Sequence, residues 1–267
     1  MKKYWSFFRI RFSTGLQYRA AALAGIATQF FWGIMELLMF AAFYRWSPQN
    51  FPMTFSQLAN YIWLQQAFLA LFVLWRMDND IFSAITQGNI AYELVRPAGL
   101  YAMWFVKNAA MRCSSALLRC IPVLVVAVFL PAPYGLTPPP SLQAGVLFIL
   151  ALLLALATTV CLVMLVYVLT FYTMSPMGIR MVAVSLGDFL SGSVIPLPFL
   201  PDWLRGVVEL LPFAATANTP LRVYSGQLAG AAAWQAVGLQ LFWIGALVLL
   251  GNLLLRRALH RVVVQGG

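Results

Sequence analysis

Residues 142–171 have the sequence LQAGVLFILALLLALATTVCLVMLVYVLTF, thirty consecutive positions without a charged side chain. A transmembrane helix needs about 20 predominantly apolar residues. As a helix this stretch is longer than the hydrocarbon core of a bilayer is thick, so it can cross the membrane with some tilt. It predicts a membrane-spanning helix and sets the fold class of the whole chain.

The composition of the rest of the chain agrees with this reading. Of the 267 residues, 62% are hydrophobic and only 9% are charged, whereas about a quarter of the residues of a soluble domain are charged. A water-soluble fold of this length has no interior large enough to hide so much apolar surface. We therefore expect lipid to surround most of the chain.

The net charge of +10 does not indicate a nucleic-acid partner. The basic residues lie between long apolar runs, where the positive-inside rule expects them. They form no stripe with interleaved aromatic residues, which is what a nucleic-acid interface requires.

Six apolar segments predict an all-α membrane protein with six transmembrane helices. They are, approximately, residues 20–44, 58–75, 113–130, 142–171, 180–197 and 231–255. The third is the least uniform, because Arg119 lies inside it and its guanidinium is expected to reach toward the cytoplasmic interface. Glu36 lies inside the first segment, and Asp188 interrupts the fifth.

The distribution of Lys and Arg predicts that both termini are cytoplasmic. With six spans the two ends of the chain share one side, and that side collects fourteen basic residues against three on the other. An excess of Lys and Arg marks the cytoplasmic side.

Residues 1–19 precede the first span and predict an amphipathic helix on the inner leaflet. Four apolar residues fall near one helical face: Trp5, Phe8, Phe12 and Leu16. Arg9 and Arg19 interrupt this apolar stripe. The basic stretch is too long for the n-region of a signal peptide, so we expect no cleavage here.

The longest segment on the cytoplasmic side, residues 76–112, contains a short predicted helix. Residues 78–80 (DND) supply N-cap side chains, and Gly88 is a natural stop. Three apolar residues lie between them: Ile81, Phe82 and Ile85. A helix of about two turns is unstable alone in water, so we expect it to dock against another surface.

The outer segment, residues 197–230, is too hydrophobic for a solvated loop. Prolines in and just before it break the chain into short pieces: Pro196, Pro198, Pro201 and Pro212. With Trp203 among them, the pattern predicts a helical hairpin before the last span. This hairpin would dip into the outer leaflet or pack over the outer mouth of the bundle.

No set of residues in the sequence predicts catalysis, cofactor binding or metal binding. Neither a GxxxxGK[ST] phosphate loop nor a GxSxG nucleophile elbow occurs. The single histidine, His260, lies in the basic tail and is expected to be solvated. Cys113, Cys120 and Cys161 have no CxxC spacing and are interpreted as packing residues. The sequence therefore predicts no enzyme activity on this chain.

Two carboxylates, Glu36 and Asp188, lie inside predicted spans. Ionisable groups at membrane depth are costly and tend to face the bundle interior or a water-filled path. Each is a candidate for a translocation path or its gate, or alternatively for a hydrogen bond that fixes helix packing. A proton relay needs more than two such groups, so coupling to a proton gradient is not favoured.

The order of these elements and two motifs resemble the type-2 export permeases of ATP-binding-cassette (ABC) transporters. Residues 80–97 (DIFSAITQGNIAYELVRP) look like the family's "I…G.I…L.RP" segment between spans two and three. Residues 193–203 (SVIPLPFLPDW), with residues 211–213, Pro220 and residues 224–226, look like its outer-hairpin signature. The resemblance covers the whole chain.

The resemblance implies a permease of a bacterial inner (cytoplasmic) membrane. Two permease chains, identical or merely similar, would pair with two copies of a cytosolic ABC ATPase, which would bind the ATP and Mg. The helix Asp80–Gln87 would then be the coupling helix, seated in a cleft of the ATPase. The implied ATPase-coupling residues are Asp80, Ile81, Phe82, Ile85, Gly88, Arg96 and Pro97.

The resemblance leaves the substrate open among drugs, antibiotics, lipids and glycans. An apolar, aromatic-rich lining would favour amphipathic or lipid-like cargo. The competing functions are a stand-alone secondary transporter, a membrane-embedded enzyme, a structural assembly factor and a regulatory subunit coupled to an ATPase.

Overall fold

A computed structural model describes residues 2–17, 19–46 and 51–260, and these form helices and connections without a β-strand. Arg261, one of the predicted cytoplasmic basic residues, lies outside the described residues. The helices are α1 (Lys2–Gly15), α2 (Arg19–Trp46), α3 (Phe55–Ala67), α4 (Leu69–Phe72), α5 (Asn79–Thr86), α6 (Ala91–Leu94), α7 (Leu100–Phe129), α8 (Leu142–Thr173), α9 (Pro176–Leu190), α10 (Asp202–Glu209), α11 (Asn218–Tyr224) and α12 (Gly230–Leu259).

Within the described residues, four helices are long and apolar enough to cross a membrane: α2, α7, α8 and α12. They correspond to the first, third, fourth and sixth predicted spans. The structure therefore confirms an all-helical protein with several helices of spanning length.

The second and fifth predicted spans are shorter as helices. Residues 58–75 are divided between α3 and α4, and the chain becomes extended at Val73. Helix α9 has 15 residues, about 22 Å of helix, and is followed by a sharp bend in which Gly192 has φ +80°. Both fall below the length of an ordinary spanning helix, so the six-span topology stays a prediction.

The core surrounds α8. Its residues 158–164 are all buried, because α8 packs against α12, α11, α7, α9 and α5. A helix that is apolar on every face belongs in an interior. Helix α8 lies within the longest uncharged run of the sequence, residues 120–179.

Helix α7 begins at Leu100, well before the predicted start of the third span at residue 113. Its first turns carry polar side chains whose partners lie within the protein. Asn108 accepts a hydrogen bond from the Tyr167 hydroxyl (3.1 Å), and Lys107 pairs with Asp78 (2.6 Å). The helix can therefore continue past the apolar segment that hydropathy detects.

Helix α1 lies along α7. Lys3 Nζ donates to the Pro97 carbonyl (2.6 Å), and the Tyr4 hydroxyl accepts from the Gly99 amide (3.3 Å). At the other end of α1 the approach is so close that a Cβ at Gly15 would lie 2.1 Å from Ser114 Oγ. Only glycine fits there.

The outer segment contains the two short helices predicted for it, α10 and α11, after a 3-10 turn at Leu197–Phe199. They differ in exposure: α11 is almost wholly buried against α8, with the Tyr224 ring 5.0 Å from that of Phe148. Helix α10 presents much of its surface outward, including Trp203.

Candidate functional site

Helix α5 begins and ends within one residue of the bounds that the sequence indicates. The Asp78 carboxylate accepts from the Asp80 amide (2.9 Å) and caps the first turn. Gly88 follows the helix with φ +76°, a conformation that favours glycine. The predicted short helix is therefore present, while its role in coupling stays a prediction.

The apolar face of α5 is buried inside this chain. Ile81, Phe82 and Ile85 are 1%, 5% and 4% exposed, and the Phe82 ring stands edge-on to Tyr167 of α8, with 4.9 Å between centroids. The expectation that α5 needs a docking surface is thus met by α8, which extends beyond the length that a bilayer requires. These three side chains are not available to fill a cleft of another protein.

Polar contacts fix the first turn of α5 to α7 and α8. Lys107 reaches Asp78 (2.6 Å) and Asp80 (3.4 Å). The backbone amide of Asp78 donates to the Tyr167 hydroxyl oxygen (2.6 Å), and that hydroxyl donates to Asn108 Oδ1 (3.1 Å). These contacts join α5 directly to the two long helices.

The opposite face of α5 and the turn after it are open. Asn79, Asp80, Gln87 and Asn89 are exposed, and a groove of about 450 Å³ runs between α5 and α6. The groove is lined by Asp80, Ser83, Ala84, Asn89, Tyr92, Glu93 and Arg96. We call it the α5–α6 groove.

Helix α6, on the far side of this groove, is tied to α7 as well. Glu93 accepts from Trp104 Nε1 (2.5 Å). Tyr92 is 74% exposed. Of the remaining predicted coupling residues, Arg96 lines the groove, while the Pro97 carbonyl accepts from Lys3 of α1.

Arg112 is a residue whose role the sequence does not reveal. It is fully buried, and its guanidinium donates to the carbonyl oxygens of Ala70 (3.2 Å), Val73 (2.8 Å) and Arg76 (2.8 Å). These carbonyls lie at and after the C-terminus of α4, where a helix leaves its acceptors without intrahelical partners. Arg112 thus closes α4 and holds the chain that leads into α5.

A basic pocket of about 460 Å³ lies beside the N-terminus of α5, between α1, α2 and α7. The basic pocket is lined by Arg11, Thr14, Gly15, Ala22, Arg76, Asp78, Asp80, Lys107, Met111, Ser114, Ser115, Leu118 and Arg119. Arg119 approaches α2 closely there, since a Cβ at Gly25 would lie 2.5 Å from its Cζ. Arg112 and Arg119 are seven residues apart on α7, a spacing that places both on one face.

The two carboxylates of the predicted spans are not joined to each other by a hydrogen bond or ion pair within the described residues. Glu36 faces the Gln66 side chain of α3, and its Oε1 is buried without a hydrogen-bond partner in the described chain. Asp188 is partly exposed and follows Gly187, where a Cβ would lie 2.5 Å from Leu74 Cδ1. Both roles, lining a path and fixing packing, stay predictions.

The outer hairpin is anchored by polar contacts to the bundle. At its start, the Tyr61 hydroxyl donates to the Gly192 carbonyl (3.3 Å) and Gln65 donates to that of Ser193 (2.9 Å). Arg222 pairs with Glu209 across the two short helices. Among the predicted hairpin residues, Pro196, Pro198 and Pro212 are buried, whereas Pro201 and Trp203 are exposed.

A family model described as "ABC-2 family transporter protein" matches residues 24–266 of the chain. No curated protein matches it.

Proposed function

Because the chain belongs to the ABC-2 family of transporter proteins, we propose that it is the membrane-spanning permease subunit of an ATP-driven exporter. The substrate is proposed to be amphipathic or lipid-like and to move outward. The ATPase activity, with its ATP and Mg, is proposed to reside on a separate cytosolic ABC ATPase. A second permease chain, identical or similar, would complete the assembly in a bacterial inner membrane.

The observation that carries this proposal is the set of contacts that attach α5 to α7 and α8. A short helix with a buried apolar face and an open polar face is joined to α7 and α8 by Lys107, Tyr167 and Phe82. Such a helix can receive a force on its open face and transmit it to long helices. ATP can drive this movement only if the ATPase binds the conformations of the permease with different affinity.

The burial of the coupling residues supports a proposed division of them into two groups. Ile81, Phe82 and Ile85 would transmit movement from within, because they pack on this chain's own core. The contact surface would be the α5–α6 groove and its rim, including Asp80, Arg96 and the exposed Gln87. Gly88 would shape the turn between the two halves of that surface.

The membrane arrangement belongs to the same proposal. Helices α3–α4 and α9 would serve as two short spans beside the four long ones, which keeps both termini in the cytoplasm. The outward faces of α2, α9 and α12 carry exposed large apolar residues, as expected of surfaces that meet lipid or the second permease. Helix α1 would lie on the inner leaflet.

The proposal is tested by purifying the tagged chain from its native membranes and reconstituting it in liposomes. We expect an ATP-binding chain to co-purify, and uptake of a fluorescent amphipathic substrate into inside-out vesicles to require ATP and Mg. A secondary transporter would instead move substrate in liposomes that contain this chain alone, driven by an ion gradient. That result, with no effect of ATP, would reject the proposal.

A further inference from the structure

We propose that the basic pocket binds a phosphate anion at the level of the inner-leaflet headgroups. The pocket lies beside α1, the helix predicted to rest on that leaflet, and its volume of about 460 Å³ is in the range of ligand sites. A phospholipid headgroup and free phosphate share this chemistry, and the experiment below separates them. Binding does not depend on whether the chain exports anything.

The first argument is the balance of charge around the pocket. Its two carboxylates, Asp78 and Asp80, are both engaged by Lys107. Arg76 and Arg119 then line the same space, and neither has a carboxylate within 4.0 Å in the described chain. Partly buried cations are ordinarily paired, so an anion is the missing partner.

The second argument is the hydrogen-bonding state of these guanidinium groups. The Nε atoms of Arg76 and Arg119 are buried and have no acceptor among residues 2–17, 19–46 and 51–260. A terminal nitrogen of Arg76 donates to Ser115 Oγ. Guanidinium groups bind phosphate through several N–H donors at once, so two of them with unused donors form a suitable cradle.

The electrostatic state of Arg76 is consistent with this cradle. Burial lowers the pKa of Arg76, and the positive charge of the neighbouring Arg119 lowers it further. The two cations therefore repel one another across the pocket when it is empty. An anion between them reverses that repulsion.

The hydroxyl groups of the pocket contribute less than their number suggests. Thr14 donates to the Ile10 carbonyl (2.9 Å) and Ser114 donates to that of Met111 (3.0 Å). The protons of Thr14 and Ser114 are thus already used within the helices, and the guanidinium groups of Arg76 and Arg119 supply most of the donors. Substitution of Arg76 or Arg119 is therefore expected to reduce phosphate affinity more than substitution of Thr14 or Ser114.

The apolar part of the lining favours a lipid as the source of the phosphate. Ala22, Met111 and Leu118 line the pocket together with its charged residues. An acyl-glycerol backbone buries apolar surface against such side chains, whereas free phosphate gains nothing from them. A phospholipid is therefore expected to bind more tightly than inorganic phosphate.

The experiment uses the full chain, delipidated in a maltoside detergent that carries no phosphate. Isothermal titration calorimetry compares dioctanoyl phosphatidic acid, inorganic phosphate and dioctanoylglycerol, which lacks the phosphate. We expect saturable binding of phosphatidic acid, weaker at high salt, and none of dioctanoylglycerol. Inorganic phosphate that binds as tightly as phosphatidic acid would support the site and assign it to the free anion.

Variants test the position of the site. Arg119→Gln is expected to raise the dissociation constant about tenfold or more, the range for a lost charge-assisted hydrogen bond, while Arg119→Lys retains part of the affinity. The matched control is Arg257→Gln, because Arg257 is exposed on α12, away from the basic pocket. This variant should bind phosphatidic acid with the affinity of the native chain. Met111→Trp, which fills the pocket without changing its charge, is expected to abolish binding.

Four results would overturn the proposal. The first is that neither phosphatidic acid nor inorganic phosphate binds to the native chain. The second is binding of dioctanoylglycerol as tight as that of phosphatidic acid. The third is an equal loss of affinity in Arg119→Gln and Arg257→Gln, and the fourth is native affinity in a folded Met111→Trp protein. If Arg119→Gln does not fold, the titrations of the native chain and of the Met111→Trp protein still test the proposal.

Discussion

Replacing Phe82 by Ala tests whether α5 is held by this chain rather than by a partner. Phe82 is 5% exposed, and truncation of a buried Phe to Ala typically costs about 3–5 kcal/mol. The edge-on contact of its ring with Tyr167 contributes about 0.5–1.5 kcal/mol of stability beyond area burial. The cost of truncating a buried Phe to Ala already includes this contribution. We therefore expect the local opening of α5 to become easier by roughly 3 kcal/mol or more.

Hydrogen exchange of the amides in α5 is the assay. A change of about 3 kcal/mol raises the open fraction roughly a hundredfold, so exchange of these amides should accelerate by about that factor. The matched control is Gln87→Ala, because Gln87 is exposed at the end of the same helix, and surface substitutions generally stay within about 0.5 kcal/mol. The measurement is made on the purified chain without an ATPase.

The result that refutes this reasoning is specific. If Phe82→Ala leaves exchange in α5 unchanged, Phe82 does not anchor the helix to α8. If Gln87→Ala accelerates exchange as much as Phe82→Ala does, α5 opens equally in the two variants. The buried face of α5 then contributes no more to its stability than the exposed end does.

Three further predictions concern single side chains. Arg112→Met removes the guanidinium donors from four backbone carbonyls, those of Ala70, Leu71, Val73 and Arg76, and should destabilise the protein by about 3 kcal/mol or more, seen as a lower melting temperature in detergent; a melting temperature equal to that of Arg257→Met would contradict the role assigned to Arg112. Tyr167→Phe removes the hydroxyl between the Asp78 amide and Asn108 and should cost about 1–3 kcal/mol, measured by denaturant unfolding; an unchanged midpoint would show that this bridge is dispensable. Asp188→Asn is expected to alter transport more than expression, measured as uptake per amount of protein in vesicles; a fall in protein level alone would favour the packing role.

The long helices were predictable because lipid imposes a simple rule on the sequence. The uncharged run of residues 142–171 becomes α8 (Leu142–Thr173) almost to the residue. The bounds of α5 were equally accessible, since Asp78 caps its start and Gly88 allows the positive φ beyond its end. In both cases the signal is local.

The start of α7 was not predictable from hydropathy. Lys107, Asn108 and Arg112 look like loop residues in a window average, yet each finds its partner inside the protein. The partners of Arg112 are backbone carbonyls, and a carbonyl leaves no trace in the sequence. A helix whose polar side chains are satisfied by distant elements cannot be separated from a solvated loop by composition alone.

The burial of the apolar face of α5 was also beyond the sequence. Ile81, Phe82 and Ile85 have the pattern of a surface that needs a partner, but the pattern is silent on which partner. Only the position of Tyr167, about two helical turns before the end of α8, decides that the partner is the chain itself. For the same reason, the basic pocket emerges only when residues from α1, α2 and α7 come together.

The most direct test of the coupling role is a photo-crosslinker placed at Gln87, beside the α5–α6 groove. In native membranes we expect it to form an adduct with a nucleotide-binding chain, and the same probe at the exposed Trp203 of α10 to form none. Formation of no such adduct from Gln87, or of equal adducts from both positions, would contradict the account.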